Sequence, residues 1–288
     1  MKLNISLYIP VYNGESTIES VLKNALQLDP GADEIIIIDD GSNDQTKEIL
    51  KKYENRITII KNKTNQGLGF SRNLAISKSK HQLVASIDAD VEPEKKWLLK
   101  LYETQKKFNS AICGGRLFEK YKDKNIYNMW RHIHGTQNPF GDKIIENLGD
   151  TVSGSNTLLN KEVWSNVGGY LNQYKTNGED VTFCRKLVIS KYKISYNGTA
   201  ECNHLQNDNL KSLCDRARRA YVYGAGLKEP TILRFIQRSI RHLKFCIRFS
   251  LKDFINLRFS LIYINFIMFF NHVIKEFLGL IHKKKDYI

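Results

Sequence analysis

The chain has 288 residues, of which 42% are hydrophobic and 26% are charged. This balance is typical of a globular protein and excludes a disordered or fibrous chain. The length fits one large domain or a domain with an appendage. The net charge of +14 is unevenly spread, because residues 211–288 hold sixteen Lys or Arg against five Asp or Glu, whereas residues 1–210 hold twenty-eight against twenty-five.

Cysteine usage and the first residues suggest the compartment. The five cysteines include no CxxC pair, so we expect neither a structural zinc site nor a disulfide framework. The chain starts directly with a strand-like run and lacks the charged and apolar regions of a secretory signal. These features predict a protein of the cytoplasm.

Strand and helix patterns alternate over residues 1–110. Apolar runs predict strands, and helical spacing of apolar residues predicts helices between them. The alternation predicts an α/β fold with a mostly parallel sheet flanked by helices on both faces. Pro93 suits the first turn of the last of these helices. The predicted strands are 5–9, 35–38, 57–60 and 83–87, and the predicted helices are 15–28, 43–53, 68–79 and one that carries Trp97, Leu98 and Leu101.

The rest of the chain is less regular and then helical. We assign residues 1–225 to one catalytic domain, with a nucleotide half at about 1–110 and an acceptor half at about 111–225. Residues 226–288 form a helical, basic and aromatic tail. Its apolar run at 259–270 is too short and too polar for a clean transmembrane helix, which needs about 20 residues.

Polar clusters follow three of the predicted strands, at 10–13, 39–42 and 88–90. Because ligands of open α/β sheets bind beyond the carboxyl ends of the strands, we expect these clusters to meet at one edge of the sheet. Asp88 and Asp90 point to the same side there. Two close carboxylates repel each other unless a cation lies between them. Mg²⁺ or Mn²⁺ suits such a pair, although a solvated turn before a helix has the same pattern.

Several motifs together resemble the family 2 glycosyltransferases of GT-A fold. Their order and spacing agree over about residues 4–225. Neither a GxGxxG dinucleotide loop nor a P-loop is present. The motifs are IPVYN at 9–13, IDDGSND at 38–44, NQG at 65–67, SRN at 71–73, DAD at 88–90, VGGY at 167–170 and GED at 178–180, followed by Arg185.

The resemblance implies inverting transfer from a nucleotide-diphospho-sugar. Matched to the family motifs, Pro10, Tyr12 and Asp40 hold the base and ribose. Arg72 lies near the base or the diphosphate, Asp88 faces ribose or metal, and Asp90 is the principal metal ligand.

The motifs in the second half of the domain match the chemistry and the acceptor. Asp180 matches the catalytic base, and Glu179 recognises the acceptor or supports Asp180. An acidic pair at a helix start also suits the helix dipole without any catalytic role. His204 lies where some related enzymes place a histidine near the metal or diphosphate, although a lone histidine is more often structural.

The basic tail has three interpretations. It lies on an anionic membrane surface, it caps the catalytic domain, or it forms a dimer contact. Nucleic-acid binding fits least, because no recognised fold or motif accompanies the charge.

The function that follows is a metal-dependent glycosyltransferase on the inner face of the cell membrane. Its acceptor is a saccharide or a lipid-linked molecule, in polysaccharide or glycolipid synthesis. One alternative is sugar transfer to a polyprenyl phosphate, which needs Asp180 less because the acceptor oxygen is already ionised. The other is a non-catalytic, membrane-bound scaffold that retains the fold.

Overall fold

A computed structural model describes residues 3–135, 140–173, 176–225 and 230–282, with the backbone alone for 220–225. Contacts divide the chain into two compact units. The first comprises residues 1–120 and 137–205, and the second comprises 121–136 and 206–288. Residues 211–225, which the sequence analysis assigns to the catalytic domain, pack in the second unit. The domain boundary at 225 itself stays a prediction.

The first unit is a sheet flanked by helices. Its elements in chain order are β1 (Ile5–Val11), α1 (Ile18–Ala25), β2 (Glu34–Asp39), α2 (Thr46–Lys51), β3 (Thr58–Lys61), α3 (Leu68–Lys78), β4 (Leu83–Ile87), β5 (Val91–Pro93), α4 (Trp97–Phe108), β6 (Ile112–Glu119), β7 (Ile144–Ile145), β8 (Asn156–Asn160), α6 (Lys161–Asn166), α7 (Glu179–Ile189) and β9 (Ile194–His204). The second unit contains α5 (Ile126–His134), α8 (Leu210–Ala225), α9 (Ile232–Ile255) and α10 (Phe259–Ile281).

The sheet formed by the described residues has the strand order β3-β2-β1-β4-β8-β6-β9-β5, with β7 paired to β9. The first four strands are mutually parallel. Strand β8 is antiparallel to both neighbours, so β6 runs in the same direction as β4, and β9 is parallel to β6. Only β5, β7 and β8 run against the common direction. The prediction of a mostly parallel α/β sheet is confirmed.

Apolar side chains explain why the predicted strands and helices form. The run Ile35–Ile38 of β2 is buried along its whole length, as expected for a strand between two parallel neighbours. In α1, the four apolar residues at helical spacing, Ile18, Val21, Leu22 and Ala25, are all buried. Each large aliphatic side chain that is fully buried contributes about 1.5–3 kcal/mol. This burial fixes the face that each element turns to the core.

The predicted helix start at Pro93 is wrong. Pro93 ends β5, which pairs antiparallel with β9 opposite Cys202. The Glu94 amide donates to the Glu201 carbonyl at 3.0 Å, so the pairing continues past the proline. Proline lacks an N–H and is tolerated at such a strand end. The helix begins instead at Trp97.

The second unit is helical and has its own apolar core. Trp130 of α5 packs in a cluster with residues of α8 and α10, namely Leu213, Cys214, Leu261, Ile264 and Met268. Helix α10 continues to Ile281, well past the apolar run predicted at 259–270. With 23 residues it is long and apolar enough to cross a membrane by length and composition alone. The helix is therefore longer than the apolar run considered in the sequence analysis, and whether it crosses a membrane stays a prediction.

We expect the second unit to lose stability as the pH falls from about 6.5 to 4. The rings of His242 and His272 stack at 4.3 Å. Burial and nearby Arg218 lower the pKa of His242 to about 4, and burial with His242 lowers that of His272 to about 3. In this pH window the unfolded histidines bind protons and the folded ones do not. The free energy of unfolding is therefore highest above about pH 6.5 and falls below it, by about 3 kcal/mol per ring.

Urea unfolding of the wild-type protein and of His272→Phe at pH 7, 6 and 5 measures this effect. The difference between the two proteins isolates the histidine from other titrating groups. A constant difference over this pH range would contradict the prediction.

Candidate active site

Three loops after parallel strands meet at one edge of the sheet, as predicted. Strands β1, β2 and β4 are neighbours, and their carboxyl ends lead into Tyr12, Asp40 and Asp88. The first two loops are joined directly, because the Asn13 amide donates to Ser42 Oγ at 3.0 Å and Asn13 Oδ1 accepts from the Asn43 amide at 2.9 Å. This edge is therefore a preformed rim.

The predicted base and ribose contacts differ in exposure. Tyr12 is 48% exposed at the rim, whereas Pro10 is buried within β1. Asp40 is also buried. Its carboxylate accepts from Asn62 Nδ2 at 2.6 Å and from the amides of Gln66 and Gly67 at 2.9 and 2.8 Å. Asp40 therefore organises the loop before α3, and the nucleotide roles of these three residues stay predictions.

Arg72 lies at the centre of the site and is only 1% exposed. Its guanidinium donates to Asp88 Oδ1 at 2.8 Å and to Glu179 Oε1 at 3.1 Å. It also donates to Ser86 Oγ and to the Gly154 carbonyl, at 2.8 and 2.9 Å. All four of these partners belong to the protein. Contact of Arg72 with a base or diphosphate stays a prediction.

The Glu-Asp pair begins α7, and its two members have different surroundings. Glu179 is 2% exposed, and burial together with the neighbouring Asp180 charge raises its pKa to about 8. Asp180 is partly exposed, and its Oδ2 accepts from the Gly154 amide at 3.1 Å. Hydrogen bonds connect Asp180 to Asp88, because the Gly154 carbonyl accepts from Arg72, which also donates to Asp88. The structure thus brings the DxD motif and the Glu-Asp pair into one site.

His204 lies between two carboxylates at the end of β9. Its Nε2 is 3.4 Å from Asp90 Oδ2, and its Nδ1 is 3.1 Å from Glu119 Oε1. Burial disfavours the charged ring, but Asp90 and Glu119 outweigh burial and raise the pKa of His204 to about 9. A histidine that binds a metal through one nitrogen commonly donates the other N–H to a carboxylate. Glu119 supplies such a carboxylate.

The residues around Asp90 fit a divalent metal that also binds phosphate. Across the described parts of the chain, no three His, Cys, Asp or Glu side chains converge to form a complete metal site. Mg²⁺ sites in nucleotide-dependent enzymes typically use one or two carboxylates together with substrate phosphates. Asp90 and His204 are suited to that arrangement. Asp88 is 27% exposed and engaged by Arg72. The metal roles of Asp88, Asp90 and His204 all stay predictions.

Three contacts of the site were not predicted from the sequence, namely those of Glu119 with His204, of Ser86 with Arg72 and of the Gly154 amide with Asp180. Glu119 meets His204 because β6 and β9 pair in parallel with a register shift between Gly115 and Arg116. No local pattern reports that register. The one sequence feature that could have indicated Glu119 is a carboxylate at the end of a largely apolar strand.

Comparison with solved structures identifies the fold. A mannosyltransferase from Pyrobaculum calidifontis, solved with GDP-Man and Mn²⁺, has a TM-score of 0.57 at 17% identity and covers 78% of this chain and 63% of that one. With the rim described above, this likeness defines the fold as that of the GT-A glycosyltransferases.

The sequence comparisons identify the family. The model of glycosyl transferase family 2 matches residues 6–168, so the chain belongs to this family. A cholesterol galactosyltransferase of Borreliella burgdorferi is 26% identical over 207 residues, or 68% of this chain and 58% of the relative. A poly-beta-1,6-N-acetyl-D-glucosamine synthase of Staphylococcus aureus is 26% identical over 214 residues, or 73% and 52%. The chain thus spans little more than half the length of these relatives.

Proposed function

We propose that the protein is an inverting, metal-dependent glycosyltransferase. It moves a sugar from a nucleotide-diphospho-sugar to a hydroxyl group, in the synthesis of a cell-surface polysaccharide or a glycolipid. The observation that carries this proposal is the partly exposed Asp180, which hydrogen bonds through Gly154 and Arg72 connect to Asp88 of the DxD motif. The relatives support the product classes, because one galactosylates cholesterol and the other synthesises a polymer of N-acetyl-D-glucosamine.

The residues of the site divide the chemistry between them. Inversion requires one displacement, in which the acceptor oxygen bonds to the anomeric carbon as the bond to the diphosphate oxygen breaks. Asp180 takes the proton from the acceptor hydroxyl during this attack. Asp90 and His204 would hold a divalent metal, which would stabilise the charge that builds on the leaving diphosphate. Glu179 is buried against Arg72 and therefore supports Asp180 rather than touching the acceptor.

A donor screen tests this function. Each common nucleotide-sugar is incubated with the protein and Mn²⁺, and hydrolysis of the donor and the shift in melting temperature are recorded. We expect one donor class to be hydrolysed and to stabilise the protein in a metal-dependent manner. If no nucleotide-sugar is hydrolysed or raises the melting temperature, the non-catalytic scaffold becomes the better description.

We also propose that the second unit holds the enzyme on the inner face of the cell membrane without crossing it. Polar side chains on the buried face of α10 are bonded within the unit. Asn265 donates to Asp253 at 2.9 Å and accepts from Trp130 at 2.7 Å, and Glu276 pairs with Arg218 and Arg238. A helix fixed by such contacts belongs to a packed helical unit.

The exposed residues of α10 are large and apolar or aromatic, except for Ser260 in the first turn. Seven large side chains recur every three or four residues along the helix and are all at least 49% exposed. Contiguous apolar surface of this extent is rare on soluble monomers and marks an interaction site. These residues, here called the aromatic stripe, are Phe259, Tyr263, Phe266, Phe270, Ile274, Phe277 and Ile281.

Helix α9 adds positive charge beside its own exposed apolar residues. Arg241, Lys244, Arg248 and Lys252 are exposed at helical spacing, here called the basic stripe. Leu243, Ile247 and Leu251 are exposed next to them. An apolar face bordered by Lys and Arg is typical of a helix that lies in the headgroup region of an anionic bilayer.

We expect the protein to sediment with vesicles that contain phosphatidylglycerol, and high salt to release only part of it. Replacing Phe266 and Phe270 by Ser removes apolar contacts worth about 1.5–3 kcal/mol each, so binding falls at least about tenfold. Charge reversal at Arg248 and Lys252 weakens binding mainly at low salt, because each cation contributes about 1 kcal/mol near the surface.

Charge reversal at Lys47 and Lys51, which are exposed on α2, is the matched control and leaves binding unchanged. A wild-type protein that ignores these vesicles and is dimeric by light scattering would show that a second copy covers the aromatic stripe instead.

A further inference from the structure

A single buried arginine connects carboxylates from two distant parts of the chain. Arg72 contacts Asp88, which follows β4, and Glu179, which begins α7. Glu179 is as buried as the arginine. A buried charge is tolerated when its partners are present and strongly destabilising when one partner is removed. Arg72 therefore holds the end of β4 and the start of α7 together.

The same guanidinium reaches the candidate base by two routes. Through Glu179 it fixes the residue directly before Asp180. Through its bond to the Gly154 carbonyl it also fixes the 153–155 turn, whose Gly154 amide donates to Asp180 Oδ2 at 3.1 Å. The bond to Ser86 Oγ also attaches the guanidinium to β4.

Close packing leaves these groups little freedom to shift. A Cβ at Gly154 would lie 3.1 Å from Arg72 Nη2 and 3.2 Å from the Cβ of Asp180. A Cβ at Gly69, one turn before Arg72 on α3, would lie 2.5 Å from the Leu171 carbonyl oxygen. Helix α3 is thus pressed against the segment that leads to α7, and a small displacement of Arg72 is transmitted to its partners.

We infer that Arg72 is a positioning residue, which sets the separation between the DxD motif and the base Asp180. This inference rests on the proposed function. It replaces the expectation that Arg72 serves by contacting the base or diphosphate. Arginine is required because a planar fork can donate in several fixed directions, whereas the ammonium of lysine is a point charge on a flexible stem.

The test measures turnover and ligand affinity separately for Arg72→Lys. We expect turnover to fall at least about 100-fold, because misplaced reacting groups lose rate on this scale. We expect the affinities for UDP and UMP to fall by the same factor, which is less than about threefold. The same holds for GDP and GMP. A selective loss of diphosphate affinity would show that Arg72 contacts the diphosphate and would overturn the inference.

A second variant keeps the inference testable if Arg72→Lys does not fold. Glu179→Gln keeps the shape of the side chain and replaces one of the two carboxyl oxygens by an amide NH₂, which cannot accept from Arg72. We expect about tenfold slower turnover with unchanged nucleotide affinity, and full turnover in this variant overturns the inference. If both single variants fold, the double variant is no more than about threefold slower than Arg72→Lys, because residues acting through one network are not additive. Additive losses of turnover in the double variant would contradict the proposed connection between Arg72 and Glu179.

Wild-type turnover is measured first and separates the two proposals. If the wild type transfers sugar and Arg72→Lys selectively loses affinity for the diphosphates, only the positioning role fails. If the wild type transfers sugar from no donor, the proposed function fails and the role of Arg72 fails with it.

Discussion

Asp180→Asn is expected to remove turnover while leaving donor binding nearly unchanged. The amide has the shape of the carboxylate and still accepts from the Gly154 amide, but it cannot take the proton of the acceptor hydroxyl. Loss of a general base typically costs about 10²–10⁴ in rate. Asp180 is partly exposed, so the substitution should leave the fold intact.

Steady-state transfer rates and donor affinity by calorimetry measure the two effects separately. Asp150→Asn is a matched control, because each of Asp150 and Asp180 accepts from the amide of the residue that follows it, and Asp150 is exposed. A parallel collapse of donor affinity would make Asp180 a binding group. An unchanged rate in a folded variant would favour transfer to a polyprenyl phosphate, whose oxygen needs no base.

Asp90→Asn is expected to abolish transfer and the metal-dependent part of nucleotide binding. The substitution removes the charged oxygen opposite His204 Nε2. Lewis-acid stabilisation of a leaving group is worth several kcal/mol, so the rate falls by about 10³ or more. EDTA should produce the same loss in the wild-type protein, and Mn²⁺ or Mg²⁺ should restore activity.

Nucleotide affinity with and without Mn²⁺ distinguishes a metal ligand from a structural aspartate. Asp90→Asn should lose the gain in affinity that Mn²⁺ gives the wild type and retain the metal-free affinity, and Asp150→Asn again serves as the control. Undiminished transfer in EDTA, or full activity of Asp90→Asn, would eliminate the metal role.

The part of the fold that could be predicted is the part that local patterns encode. The buried runs of β1, β2 and β4 and the polar residues after them require only a strand and its end, and topology then brings these ends together. Pro93 was misplaced because its pairing partner, Cys202, lies far along the chain. The register between two distant strands depends on side-chain packing that no single segment reveals.

The same limit applies to the site. The motif residues were recognisable, whereas their mutual bonds were not. Arg72 could be assigned to the site from its motif, but its burial between Asp88 and Glu179 depends on how α3 and α7 pack. Glu119 was missed because it reaches His204 only through the β6–β9 register.

Helix α5 belongs to a unit whose other helices are synthesised much later. Its Trp130 packs against α8 and α10, and the last of these ends at Ile281. At translation rates of about 5–20 residues per second, α5 leaves the ribosome on the order of ten seconds before α10 does. Helix α8 arrives earlier, but the part of the α5 apolar face that α10 covers stays uncovered by α10 throughout that interval. We therefore expect the nascent protein to offer a binding site for chaperones there until the last helix arrives.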